Sequence, residues 1–226
     1  DLVKRVKELG MDSVALTDHG NLYGAIEFYK EAKKQGIKPI LGVEAYISPK
    51  GMEDKDSNDE KYFHLTLLVK NNQGWQNLIK LVTEAHLKGF YYKPRMDKEL
   101  LRKYSAGLIA LSGCITGEVS RNILAGNYEK AVTVAKEYES IFGKDNYYLE
   151  VGNHPGFKDT VKAKEGLIKI SKENGIPLVA TQDLHYLKKE DSEYHDILLA
   201  VQTGNKLTDP GRLTLKDDDF SMTSTQ

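Results

Sequence analysis

Short apolar runs rich in β-branched and aromatic residues alternate with amphipathic helical segments along the whole chain, and this alternation constrains the fold most. Residues 13–16, 39–47, 62–69, 108–111, 146–151 and 177–181 read as strands. Helical spacing of apolar residues covers about 22–35, 75–87, 116–124, 128–142, 159–174 and 192–201. The charged stretch 51–61 has no apolar periodicity and is expected to be an exposed loop. Strand followed by helix, repeated, predicts an α/β protein with a parallel sheet, and near-continuous apolar strands suit a sheet covered on both faces. An open doubly wound sheet and a closed barrel both fit.

A first helix precedes these strands: Leu2, Val3, Val6 and Leu9 share one face, and Gly10 can close the end. A further strand is expected upstream of it. The chain opens without an initiator Met and ends in a polar stretch, Phe220 to Gln226, so both ends read as cuts. Residues 1–204 are expected to form one domain, with 205–226 a polar tail. Within that tail Asp217, Asp218 and Asp219 read as a solvated turn.

With 32 basic and 33 acidic residues the net charge is −1, which does not suggest a protein that coats duplex nucleic acid, though it leaves room for a local basic patch. No apolar run approaches the roughly 20 residues of a membrane span, and no signal-peptide pattern is visible. Cys114 is the single cysteine, so no internal disulfide forms and a reducing cytoplasm is the simplest compartment.

In parallel α/β architectures the working residues sit where strands end and loops begin. The first strand ends in Thr17-Asp18-His19-Gly20, the second carries Glu44, the third His64, and the fourth ends in Ser112-Gly113-Cys114. The fifth runs through Glu150 to Asn153-His154, and the sixth ends in Asp183-Leu184-His185. Singly, each has an ordinary explanation: a strand histidine is usually a hydrogen-bonded core residue, and a lone Cys114 a small buried hydrophobe. Glu44 is less comfortable, because a buried carboxylate is costly unless paired or ligated. Together they direct imidazole, carboxylate and thiol groups to one rim, a donor set that suits Zn²⁺, Mn²⁺ or Fe²⁺ better than Mg²⁺ or Ca²⁺. His86 and His195, on helices, read as structural. No phosphate-binding glycine loop and no nucleophile elbow is present.

The runs Ala15-Leu16-Thr17-Asp18-His19-Gly20-Asn21-Leu22-Tyr23-Gly24 and Gly36-Ile37-Lys38-Pro39-Ile40-Leu41-Gly42-Val43-Glu44 resemble the PHP (polymerase and histidinol phosphatase) domain of bacterial DNA polymerase III alpha subunits. Gly89 to Asp97, Leu111 to Cys114, and His195 to Gly204 favour that polymerase branch over stand-alone PHP phosphatases. The resemblance implies a distorted seven-stranded βα barrel with up to three metals at its rim. It places His19, Glu44, His64, Cys114, Asp183 and His185 at metal-ligand positions, with Asp18 orienting His19. The family's upstream His-x-His segment and first strand do not occur in this sequence. The implied activity is a metal-dependent 3′→5′ exonuclease, able to proofread, using Zn²⁺, Mn²⁺ or Fe²⁺, with Mg²⁺ confined to the polymerase domain of the parent. Implied partners are a DNA 3′ end, the remainder of the alpha subunit, a proofreading exonuclease subunit and other replisome proteins, with no membrane. Lys93, Arg95 and His154 are candidate substrate contacts, and Tyr91 and Tyr92 could stack on an unpaired base; an exposed loop without a role is the equal alternative for 91–95. Two other functions stay open: a non-catalytic scaffold for the polymerase, or a stand-alone phosphoesterase.

Overall fold

The computed structural model describes residues 1–55 and 62–224; of the charged loop expected at 51–61, residues 56–61 lie outside the described residues. Helix α1 (Leu2–Glu8) leads into β1 (Ser13–Leu16), α2 (Ala25–Gln35), β2 (Lys38–Ile47) and β3 (Phe63–Val69). Next come α3 (Asn72–Leu87), the short strands β4 (Phe90–Tyr91) and β5 (Lys93–Met96), α4 (Lys98–Tyr104) and β6 (Leu108–Leu111). Helices α5 (Glu118–Leu124) and α6 (Tyr128–Phe142), β7 (Tyr147–Val151), α7 (Lys158–Asn174), β8 (Leu178–Ala180) and α8 (Ser192–Thr203) complete the order.

The strands form a curled half-barrel in the order β4-β5-β2-β3-β6-β7-β8, with β1 also paired to β2. The sheet is mixed, which corrects the expectation of parallel strands each trailed by a helix. Among the described residues no helix lies between β2 and β3; β3 runs antiparallel to both β2 and β6, while β1–β2, β2–β5, β6–β7 and β7–β8 are parallel. Among the described residues β8 and β1 do not pair, and a cleft of about 730 Å³ lies inside the curl, lined by Val14, Leu16, Leu68, Val179 and Leu184 among others.

Side-chain alternation along β2 and β3 divides core from site. Val43, Ala45, Ile47, Leu65 and Leu67 are at most 1% exposed and belong to a core cluster that includes Leu78 and Leu81 of α3 and Leu101 of α4. The intervening residues pair across the ladder on the other face, Glu44 with Thr66 and Tyr46 with His64. Each fully buried aliphatic side chain contributes on the order of 2 kcal/mol, so register is strongly specified and the polar face cannot slip into the core.

Helix ends follow local chemistry. Asn71 and Asp97 cap α3 and α4, accepting hydrogen bonds from the backbone of Gly74 (3.0 Å) and Leu100 (2.8 Å). Gly36 closes α2 at φ 75°, a left-handed conformation that glycine adopts without strain. Within the stretch expected as a polar tail, Phe220, Ser221 and Met222 are buried, and Ser221 bridges to Tyr186. Polar composition concealed this, because the anchors lie in other elements.

Candidate metal centre

The β1–β2 ladder continues past the end of β1, with Glu44 N donating to Asp18 O at 3.0 Å and Gly20 N to Glu44 O at 2.9 Å. That continuation sets His19 beside Glu44, and His19 Nδ1 pairs with Glu44 Oε2. The other carboxylate oxygen lies 3.0 Å from His64 Nδ1, which β3 presents from the facing strand. Cys114, in the loop after β6, brings Sγ to 3.7 Å from the same His64 nitrogen and to 3.1 Å from Thr116 Oγ1. Glu44, His64 and Cys114 thus offer ligand atoms that all lie within 4.8 Å of one another.

Asp183 and His185 join from the loop after β8. Asp183 holds φ at 49°, an uncommon backbone state for a non-glycine residue and one that recurs at functional sites. Its carbonyl lies 2.7 Å from His185 Nδ1; a carbonyl only accepts, so Nδ1 is the donor in that contact, which leaves Nε2 as the nitrogen free to ligate. The His185 and His19 rings are 6.4 Å apart, those of His19 and His64 5.9 Å.

Electrostatics bind the group together. Burial alone would push the Glu44 carboxyl up, but hydrogen bonds from His19 and His64 hold it at about 2. The Cys114 thiol is pushed up to about 12 by burial and by the charges of Glu44 and Asp183. Burial likewise raises Asp183, helped by Glu44. A cation bound beside Glu44 and Asp183 would offset the burial of their carboxylates and would deprotonate a coordinating thiol. The residues present fit such a group: imidazole, carboxylate and thiol donors in one partly buried cluster.

The remaining expectations divide. Asp18 contributes through its backbone; no hydrogen bond joins its carboxylate to His19 among the described residues, and that group faces Gly24 instead. Lys93 lies at the site, its Nζ 5.5 Å from the Tyr46 ring centroid. Arg95 does not: it is 2% exposed, and its guanidinium donates to Gly89 O and Met52 O at 3.3 Å and to Asp54 O. Its side chain is spent on three backbone carbonyls. Tyr91 and Tyr92 meet edge-on at 4.6 Å, with Tyr92 exposed. His154 is buried against Phe220, rings 4.0 Å apart and 11° from parallel. The Asp217–Asp219 run is a hydrogen-bonded loop, Asp218 accepting from Gly156 N and Asp219 from Ser221 N.

One neighbour of the cluster was not among the candidate ligands, and two histidines read as structural lie close by. Glu150 lines the same cavity, accepts from Thr181 Oγ1 (2.7 Å) and Thr66 Oγ1 (3.2 Å), and is raised to about 7 by burial. An acidic residue inside an apolar strand is the signal that had singled out Glu44, and it applied equally to Glu150. His86 supports the His19 loop, its Nε2 lying 3.0 Å from Gly20 O. His195 stands edge-on to His185 at 5.3 Å.

Sequence comparison places these features in a family. A model of the PHP domain matches residues 1–154. DNA polymerase III subunit alpha of Borreliella burgdorferi is 46% identical over 99% of this chain, that of Treponema pallidum 42% over 100%, and that of Thermus aquaticus 44% over 97%. The chain spans 20%, 19% and 18% of the length of those three proteins. A Bifidobacterium adolescentis crystal structure, provisionally named a metal-dependent phosphoesterase, aligns over 80% of each chain at 14% identity with a TM-score of 0.46, a likeness too slight to carry weight. No described helix is long and apolar enough to cross a membrane. A domain model covering two thirds of the sequence, together with close relatives along its whole length, makes this chain a member of the PHP domain family.

Proposed function

We propose that this chain is the PHP region of a DNA polymerase III alpha subunit, and that its rim centre holds two or three transition-metal cations serving 3′→5′ hydrolysis of a DNA end. The observation that carries the reading is the convergence of Glu44, His64 and Cys114, from three separate parts of the sheet, to within 4.8 Å. His19, Asp183 and His185 extend the same cluster as further ligands, and Zn²⁺, Mn²⁺ and Fe²⁺ suit the donors. Cations bound there would supply a hydroxide near neutral pH and a clamp for the scissile phosphate. Glu44 holds two imidazoles in place, His185 is fixed through its Nδ1, and Lys93 offers positive charge at the mouth. In this reading residues 1–204 are the PHP domain and 205–226 lead onward. Nucleotidyl transfer with Mg²⁺, and contacts with a proofreading subunit and other replisome proteins, belong to the longer polymerase in the cytoplasm.

The test uses the full-length protein loaded with Mn²⁺ or Zn²⁺ and a labelled primer carrying a mismatched 3′ terminus. Shortening of the primer that Asp183→Asn abolishes is expected. An unaltered primer, with metal content verified, would remove the nuclease claim.

A second reading, a non-catalytic scaffold, is favoured by one feature. Tyr194, Ile197, Leu198 and Val201 form an exposed apolar stripe along α8, suited to packing against other parts of a polymerase. It predicts that Asp183→Asn leaves all nuclease readings unchanged, while removal of the domain destabilises the polymerase.

A further inference from the structure

The cavity at the metal centre has two unlike kinds of lining. It encloses about 340 Å³, within the range of about 300–1,000 Å³ typical of small-molecule pockets. The polar lining is the rim donors His19, Glu44, His64, Cys114, Asp183 and His185. The apolar lining is Val151, Phe157, Ala163, Leu167, Leu213 and Leu215, contributed by β7, by α7 and its N-cap residue, and by the returning 212–222 stretch. The metal chemistry needs only the first.

Flat rings adjoin the apolar lining. Phe220 stacks on His154, and Phe157 leans against Phe220 with centroids 6.0 Å apart and planes at 59°. His154 is 5% exposed, lines the cavity, and neither of its ring nitrogens has a hydrogen-bond partner among the described residues. A buried imidazole left without hydrogen bonds is costly, and such exceptions often mark a ligand position. The wall is also held in place. Arg212 grips Asp196 with two hydrogen bonds of 2.6 Å, Thr214 donates to Asp196 at 2.8 Å, and the His185 backbone N–H donates to Phe220 O at 3.0 Å. One ligand that spans the cavity must therefore join an anionic group to a flat, weakly polar ring.

We infer that the apolar lining receives the nucleobase of the terminal nucleotide whose phosphate lies at the rim donors. This rests on the nuclease reading above and adds its substrate subsite. Phe157, Leu167, Leu213 and Leu215 contact the faces and edges of the base, and His154 turns to supply a donor and an acceptor to it. Such walls accept every base, so the subsite distinguishes nucleotides from other phosphate esters and not one base from another.

The experiment uses full-length protein loaded with Mn²⁺ and compares binding of thymidine 5′-monophosphate with that of 2-deoxyribose 5-phosphate by calorimetry. The nucleotide is expected to bind at least about tenfold more tightly, the gain that stacking one base provides. Phe157→Ala and Leu213→Asp are expected to remove that gain while leaving metal content and sugar-phosphate binding unchanged. Leu213 is 56% exposed, so its replacement does not threaten folding. Equal affinity for the two ligands in the parent protein, or a gain that survives both substitutions, overturns the subsite and leaves the metal reading intact. Failure to bind metal or either phosphate overturns both.

Discussion

Cys114 Sγ lies 3.7 Å from His64 Nδ1, though 50 residues separate them in the chain. The approach depends on Gly113 and on the antiparallel pairing of β3 with β6, which places the end of β6 beside the start of β3. Buried beside Glu44 and Asp183, the thiol stays protonated without a cation, and a bound cation reverses that preference.

This gives a spectroscopic expectation. Full-length protein loaded with Co²⁺ should show a thiolate-to-cobalt charge-transfer band that Cys114→Ser lacks. The same substitution should weaken metal binding by more than the roughly 10- to 100-fold that loss of a ligand's outer partner costs, read by competition with a chelator. A band that persists in the serine variant would exclude Cys114 as a ligand.

Glu150 offers a pH test of the metal-free protein. Its carboxyl titrates at about 7 in the folded chain, against 4.5 ordinarily, because burial disfavours the charged form. A raised acid costs nothing below its unfolded pKa; its penalty grows as pH climbs from about 4.5 to about 7 and is complete above that. Removing the ionisable group in Glu150→Gln should make the protein more stable than the parent above pH 7, by at most about 3 kcal/mol, with no such gain near pH 4. Gln can still bond to Thr181 and Thr66. Denaturant midpoints measured across this pH range check it; a pH-independent difference contradicts a buried, raised Glu150.

Asp196 carries the opposite sign. Hydrogen bonds from Arg212, with those from Thr214 and Lys216, hold its carboxyl well below the usual range. Its contribution is full above the ordinary carboxylate pKa and is lost as pH falls below it. Asp196→Ala removes the carboxylate that Arg212 and Thr214 bond and should lower stability at neutral pH, with the difference shrinking as pH falls below the ordinary carboxylate range. Amide exchange should accelerate over residues 212–222, where the stretch loses its anchor. Unchanged exchange there would mean that other contacts, such as Phe220 on His154, suffice.

How much of this was readable beforehand depended on whether a signal was local. His19, Glu44 and His64 could be found because each interrupts or ends an apolar strand, and strand alternation sends such residues to one face. Strand direction could not be found: a period of two looks alike in parallel and antiparallel strands, so β3 was misread. The hairpin of β4 and β5 was hidden by its brevity and by Tyr92 at φ 57°, between strands of two and four residues. Arg95 looked exposed because Lys93-Pro94-Arg95 reads as a polar loop, whereas its burial is set by carbonyls from Met52, Asp54 and Gly89. The return of Phe220 and Met222 depends on Asp196 and Tyr186, which no local pattern links to them.

Gly113 tests whether the cluster is positioned by the backbone or merely gathered by its own attractions. Its φ is 79°, and a Cβ there would stand 2.6 Å from the carbonyl oxygen of His64. Gly113→Ala therefore meets a backbone atom that cannot swing aside, in a conformation that alanine disfavours. A loss of about 1–3 kcal/mol in stability follows from the strain alone. Relief of the clash must move either Cys114 or the β3 backbone at His64, so metal affinity should fall more than stability does. Gly126, at φ 80° with open space around its would-be Cβ, provides the control: Gly126→Ala carries similar backbone strain with no clash and no neighbouring ligand. Comparing the two by thermal melts and chelator competition separates strain from displacement. If both variants lose stability equally and bind metal equally well, the position of Cys114 does not depend on the close approach at Gly113.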